Sequence, residues 1–227
     1  MFIATLLTNP ANPALDRATV ENLRNAWGGG EAHWLATGEA AEFELNAVPD
    51  NQWDVWQDLQ DLKIDLIIQP LAGRRKKMLL ADMDSTMIEQ ECIDELADVA
   101  GVGDHVKAIT ARAMNGELDF EGALIERVGL LKNLDEAVIQ TVIDTRISFM
   151  PGGETLLATM KANGAYAALV SGGFTAFTAY VAASHGFDEN RANTLCIEEG
   201  RLTGDVGRPI LGRDAKVQAL EEITERL

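Results

Sequence analysis

Residues 79–91 read LLADMDSTMIEQE. An apolar run, Met78-Leu79-Leu80-Ala81, ends in two acids one residue apart, Asp82 and Asp84, with Ser85 and Thr86 behind them. Buried charge is costly unless it is paired or holds a metal. The two aspartates therefore either cap a turn, as Asp, Ser and Thr commonly do, or form a reaction centre. The run before them shows no alternation, which is the pattern of a strand covered on both faces. In an open α/β sheet, ligands bind at the carboxyl ends of such strands. The elements around this strand bear on the choice.

Downstream, the spacing predicts a helix over Ile88–Ala100, two or more helices over Val106–Leu134, and another over Asp135–Ile147. Pro151-Gly152-Gly153 opens a helix that runs through Ala162. A second apolar strand follows at Ala165–Val170, then a Ser171-Gly172-Gly173 turn and a helix over Phe174–His185. Thr194–Glu199 and Arg201–Val206 read as a hairpin, and Asp214–Leu227 as a last helix. Strands alternating with helices imply a three-layer α/β fold around a parallel sheet. The helical block at about 88–148 interrupts that alternation and reads as an inserted cap.

Upstream the pattern differs. Phe2–Leu7, His33–Ala36, Glu42–Asn46 and Ile64–Gln69 read as strands. Asp16–Trp27 has helical spacing, with Val20, Leu23 and Trp27 on one face, and Asp50 is a candidate N-cap for a helix through Leu62. The order βαββαβ is the ferredoxin-like arrangement, a small α+β domain. Pro70 to Lys77 reads as a linker, so the expected domains are 1–72 and 73–227.

Composition limits the function classes. The 227 residues carry 36 acidic and 19 basic side chains, a net charge of −17. Such a chain repels nucleic acid and anionic membrane surfaces. The basic run Arg74-Arg75-Lys76-Lys77 reads as a solvated linker edge. No stretch approaches the roughly 20 apolar residues of a membrane span. Only Cys92 and Cys196 are present, with no CxxC spacing, which argues against a disulfide scaffold or a zinc site and fits a reducing cytoplasm.

Both apolar strands of the second domain end in polar loops. Ser171-Gly172-Gly173 lets backbone N–H groups converge before a helix start, a setting that favours an anion. Lys216 lies in the first turn of the last helix, where it opposes the helix dipole and asks for a reason. A carboxylate pair, an N–H nest, a hydroxyl and an ammonium are the parts that phosphoryl chemistry needs. The two carboxylates would repel a phosphate unless a hard cation lies between them, and Mg2+ with oxygen ligands fits best.

Asp82-Met83-Asp84-Ser85-Thr86, Ser171-Gly172-Gly173-Phe174 and Lys216 resemble the first three motifs of the haloacid dehalogenase superfamily of phosphatases. With Glu91 and the stretch MNGELDFEGALIERVGLLK at 114–132, the chain looks most like the phosphoserine phosphatase family within it, over about residues 78–220. The resemblance implies a haloacid dehalogenase-like core with a helical cap and a small phosphoamino acid as substrate. It implies that Asp82 attacks phosphorus, that Asp84 is the general acid and base, and that Mg2+ sits on Asp82 and on the Asp84 backbone carbonyl. Ser171, Gly172 and Lys216 would hold the phosphoryl oxygens, Glu91 the substrate ammonium and Arg127 its carboxylate. Met114 and Phe120 would close the pocket. The Arg127 role agrees with the bidentate fit of guanidinium to carboxylate.

A fourth, acidic loop of the GDGxND type is implied roughly twenty residues beyond the lysine. The sequence stops eleven residues after Lys216, and no GD, DD or ND pair follows it. The expectation is a 227-residue chain that is inactive or weak, missing the C-terminal part that its resemblance implies. For residues 1–70 the ferredoxin-like order resembles ACT-type domains, which bind amino acids and pair into dimers. On fold analogy alone, this implies a ligand-binding regulatory module and a homodimer, an alternative from a different functional class.

Overall fold

The computed structural model describes residues 1–227 and divides into two compact units, Met1–Arg75 and Lys76–Leu227. The first contains β1 (Phe2–Thr8), α1 (Arg17–Ala26), β2 (His33–Ala36), β3 (Ala40–Leu45), α2 (Gln52–Asp61) and β4 (Ile64–Pro70). Its strands form one antiparallel sheet in the order β2-β3-β1-β4. The βαββαβ order therefore closes into the ferredoxin-like topology. Ala4, Leu6, Ala41, Phe43, Leu45, Ile64 and Leu66 of the sheet meet Val20 of α1 and Leu59 of α2 in a core of their own.

Asp16 caps α1 by accepting from the Thr19 N–H at 2.8 Å. The expected Asp50 cap is not formed. The helix starts one residue later, after Asn51, whose side-chain oxygen is taken by the Trp27 indole N–H at 3.1 Å.

The second unit contains β5 (Met78–Ala81), α3 (Cys92–Val99), α4 (Gly103–Met114), α5 (Phe120–Gly129), α6 (Ala137–Arg146), α7 (Gly153–Ala162), β6 (Tyr166–Phe174), α8 (Thr175–His185), β7 (Glu189–Asn193), β8 (Leu195–Glu198), β9 (Arg201–Val206) and α9 (Asp214–Arg226). β5, β6 and β7 form a parallel sheet in that order, and β8 and β9 a separate hairpin.

Alternate residues of β6 face opposite layers. Ala168 and Val170 pack on Ala219 and Ile223 of α9, while Leu169 joins Phe177 and Val181 of α8. The sheet is covered on both faces, which is why β5 and β6 read as unbroken apolar runs. No helix of the chain is long and apolar enough to cross a membrane.

Three local expectations change. Helix α3 begins at Cys92 rather than Ile88, because the Met83 carbonyl gathers the N–H groups of Thr86, Met87 and Ile88 into a tight turn. The Asp84 carboxylate then takes the Cys92 N–H at the helix start. Ser171-Gly172-Gly173 is not a turn but the extended end of β6, bulged against β7 between Val170 and Phe174. Strand β7, ENRAN, was not expected at all, since Asn, Glu and Arg give no apolar signal and Asn is depleted in strands. The helical block connects to the core through paired linkers: Glu89 N–H donates to the Ser148 carbonyl and Met150 N–H to the Met87 carbonyl.

Candidate active site

At the carboxyl ends of β5 and β6 a cavity of about 190 Å³ is lined by Asp82, Asp84, Glu91, Phe120, Arg127, Ser171, Gly172 and Lys216, with Ile93, Leu124, Gly173 and Phe174. Eight of the nine residues singled out from the sequence thus meet in one place. Met114 does not. It is 84% exposed at the last position of α4, five residues beyond Ile109. A helix buries positions three or four apart, so that step carries Met114 off the Val106–Ile109 face and away from the cavity.

The side chains are held by identifiable bonds. Asp82 Oδ1 accepts from the Met83 N–H at 2.8 Å, and Lys216 Nζ forms an ion pair with Oδ2. That pair supplies the reason for a lysine in the first turn of α9. Asp84 Oδ1 accepts from the Cys92 N–H at 3.0 Å, and the Ser171 hydroxyl reaches Oδ2 at 3.4 Å. Ser171 Oγ in turn accepts from the Gly173 N–H at 2.9 Å.

Ser85, in the left-handed region at φ 51°, donates to Glu91 Oε1 at 2.7 Å. A non-glycine residue there is uncommon and carries strain. Two glycines leave space that a side chain would crowd. A Cβ on Gly172 would lie 2.8 Å from Phe120 Cζ, and one on Gly173 would lie 2.5 Å from Asp84 Oδ2.

The electrostatics are unbalanced. Burial pushes the Asp84 carboxyl above its ordinary range, the Cys92 hydrogen bonds pull it down in part, and the neighbouring Asp82 charge adds to the rise. Glu91 is raised as well, first by burial, with Asp84, Asp94 and Asp82 adding repulsion against the Ser85 bond. Burial lowers Arg127, partly offset by Asp94, Glu91 and Asp84, but a guanidinium stays charged. The Cys92 thiol is pushed up by burial and by Asp84, which leaves it inert as a nucleophile.

The donor set suits a hard cation. No three histidine, cysteine or acidic side chains converge as a metal cage. Mg2+ does not need one: it keeps several waters and is held by one or two carboxylates together with substrate phosphate. Asp82 offers such a carboxylate, and its repulsion with the neighbouring Asp84 is what a divalent cation would relieve.

Two contributors escaped the sequence reading. Cys92 presents its backbone N–H to Asp84. Asn193, 1% exposed at the end of β7, bonds the backbone of both Gly172 and Leu211. Only the register of a strand that gave no apolar signal would have pointed to the second.

Known proteins resemble this chain in sequence and in fold. The family model for haloacid dehalogenase-like hydrolases matches residues 79–227. The chain belongs to that family. Among curated relatives, a phosphoserine phosphatase of Archaeoglobus fulgidus is 41% identical over 172 residues, 75% of this chain and 50% of that protein. Among solved structures, a haloacid dehalogenase family hydrolase from Salmonella enterica serovar Typhi has a TM-score of 0.83 at 29% identity, covering 99% of this chain and 78% of that one. Another, described as a phospho-aspartyl intermediate analogue of phosphoserine phosphatase, has a TM-score of 0.61 at 41% identity over 66% of this chain and 71% of that one. The chain spans about half the length of the first curated relatives it matches.

Proposed function

We propose that the protein hydrolyses O-phospho-L-serine to L-serine and phosphate, in the last step of serine biosynthesis. One observation carries the reading. The cavity that holds Asp82, Asp84, Ser171 and Lys216 also holds one acid, Glu91, and one guanidinium, Arg127. An amino acid bearing a phosphate offers a cation, an anion and a phosphoryl group, and these six side chains complement all three.

In the first half-reaction Asp82 attacks phosphorus. The bond from phosphorus to the serine oxygen breaks as an aspartyl-phosphate forms, and Asp84 gives its proton to the departing oxygen. A raised carboxyl is suited to that role as a general acid. In the second half-reaction Asp84 takes a proton from water, the water oxygen bonds phosphorus, and the Asp82 carboxylate is released. The relative described as a phospho-aspartyl analogue supports Asp82 as the nucleophile.

Lys216, the Ser171 hydroxyl and the Gly172 backbone hold the phosphoryl oxygens. Glu91 takes the substrate ammonium and Arg127 its carboxylate, with Phe120 over the opening. Asp82 and the Asp84 backbone carbonyl would hold Mg2+, which would neutralise charge on the phosphate. We assign the activity to the cytoplasm, supported by two free cysteines, Cys92 and Cys196.

The test is phosphate release from O-phospho-L-serine with Mg2+. Release that disappears in Asp82→Asn supports the reading; release from sugar phosphates but not from phosphoserine overturns the substrate.

A second reading concerns the first unit, whose separate core and ferredoxin-like sheet favour an amino-acid-binding regulatory module that pairs into a homodimer. Calorimetry with serine on a Glu91→Gln, Arg127→Ala chain tests it. Heat that persists after loss of those two contacts supports a site in the first unit, and its absence removes the reading.

A further inference from the structure

β7 ends in a side chain that the mechanism above does not use. Asn193 is 1% exposed, and its carboxamide makes three hydrogen bonds. Nδ2 donates to the Gly172 carbonyl at 2.9 Å and to the Leu211 carbonyl at 3.1 Å, while Oδ1 accepts from the Leu211 N–H at 2.7 Å. Both amide hydrogens and one oxygen lone pair are thereby used on two segments that are distant in sequence. A buried group so completely paired fixes the separation of its partners.

Each partner leads to the cavity. The peptide is planar, so a carbonyl fixed at Gly172 also fixes the direction of the Gly173 N–H. That N–H donates to Ser171 Oγ at 2.9 Å, and Ser171 reaches Asp84. The 172–173 peptide is held at both ends, by Asn193 and by Ser171. On the other side, Leu211 stands three residues before the start of α9, whose first turn presents Lys216 to Asp82. The β6 bulge makes room for this. Val170 pairs with Arg191 and Phe174 with Asn193, so four steps on β6 span two on β7, and the carboxamide lies against the excess chain.

We propose that Asn193 is a positioning residue that sets the distance between the Ser171–Gly173 segment and the lysine-bearing segment, and with it the fit of both to a phosphoryl group. The proposal rests on the phosphatase reading for its last clause only.

Amide hydrogen exchange of the full chain tests the clamp without any ligand. Asn193→Ala removes all three bonds, so the Leu211 and Gly173 amides are both expected to exchange at least about tenfold faster, while the α8 amides Val181 and Ala182 keep their rates. Asn193→Asp keeps the acceptor but loses both donors. Here Leu211 is expected to stay protected and Gly173 alone to accelerate. Should Asn193→Ala fail to fold, this isosteric variant carries the test.

Faster exchange everywhere by the same factor would mean that Asn193 only stabilises the fold, and would overturn the proposal. Accelerated Leu211 with unchanged Gly173 in Asn193→Ala would overturn it too. Calorimetric titration with inorganic phosphate and Mg2+ then separates the clamp from the reading it serves. A Kd about tenfold weaker in Asn193→Asp supports the positioning of both segments, and an unchanged Kd overturns it. Wild-type protein that takes up no phosphate would count against the phosphatase reading, leaving the exchange result to decide the clamp.

Discussion

The two units each set an acid against a base, and the two pairs behave in opposite ways. In the first unit Glu42, 8% exposed, offers both carboxylate oxygens to Arg74, at 2.6 and 2.8 Å. The bidentate bond holds the Glu42 carboxyl below its ordinary range. In the second unit Lys216 takes one oxygen of Asp82, while Asp84 and Glu91 stand nearby with their carboxyls raised. One cluster has as much positive charge as it needs and does nothing further. The other is short of positive charge, and an acidic cluster left short is prepared for a cation or a cationic substrate. Perturbed groups in a cleft are candidates for function on that physical ground. The contrast teaches that the direction of the imbalance separates the candidate site from the structural pair, since both set an acid against a base.

The contrast breaks most sharply at Asp82. Asp82→Asn removes the proposed nucleophile while keeping its shape, and release of phosphate from phosphoserine is expected to fall by at least about 10³-fold, in line with the loss of other covalent nucleophiles. Glu42→Gln, the corresponding change in the first unit, is expected to leave the rate unchanged. Equal effects from the two substitutions would remove the distinction.

Asp84→Asn comes next. General acid–base groups contribute roughly 10²–10⁴-fold, so kcat should drop by that factor. The loss should be smaller for a phosphate ester whose leaving group needs no proton, such as p-nitrophenyl phosphate. An identical loss on both esters would deny Asp84 the role of acid.

Gly173→Ala sharpens the comparison more gently. The new Cβ would lie 2.5 Å from Asp84 Oδ2, and Asp84 cannot swing away without giving up the Cys92 N–H. A rate loss of about tenfold, on the scale of the ~1–2 kcal/mol that a displaced catalytic hydrogen bond is worth, is expected, with little change in thermal stability. Gly172→Ala meets the end of the Phe120 ring instead, which can rotate outward, and should cost less.

How much of this was legible in the sequence depends on which kind of signal each residue leaves. Asp82, Asp84, Ser171 and Lys216 are polar groups placed where packing gives no reason for them, at strand ends and in a helix first turn, so the sequence itself raises the question. Glu91, Arg127 and Phe120 have ordinary surroundings in sequence and were reached only through a resemblance, as was Met114, which the structure turns outward. The covered strands β5 and β6 were plain because burial on two faces erases alternation. β7 was invisible for the opposite reason. Its Glu189 bonds Arg191, Arg226 and Tyr166, and its Asn193 bonds backbone, so polar side chains do in this strand what apolar ones do in its neighbours. A strand held by polar partners has no hydrophobic period to read. Asp50 shows a third limit. Its local pattern suits a cap, but the Trp27–Asn51 bond, between residues 24 apart, shifts the helix start beyond it.

The smallest expected effect lies in the quiet pair. The Arg74 hydrogen bonds, more than its charge, depress the Glu42 carboxyl, with burial opposing them. A carboxyl that binds its proton less tightly when folded than when unfolded adds stability above its unfolded value, near 4.5. That contribution is lost as pH falls through the lower folded value. Part of Arg74 is in water, so screening keeps the sum modest, about 1 kcal/mol for a partly exposed pair. Denaturant titrations of the wild type and Glu42→Gln, followed by tryptophan fluorescence of the first unit, which holds all four tryptophans, should therefore differ by about that amount at pH 7. The two curves should converge as pH falls through the lowered folded value, because the protonated acid and the amide then lack the same charge. The cavity acids carry the opposite sign: raised carboxyls favour the folded state at low pH, and that advantage fades as pH rises through their folded values. Acidification thus removes stability from the first unit and returns some to the second. If Glu42→Gln were as acid-sensitive as the wild type, the pair would not be the satisfied counterpart of the cavity that its geometry indicates.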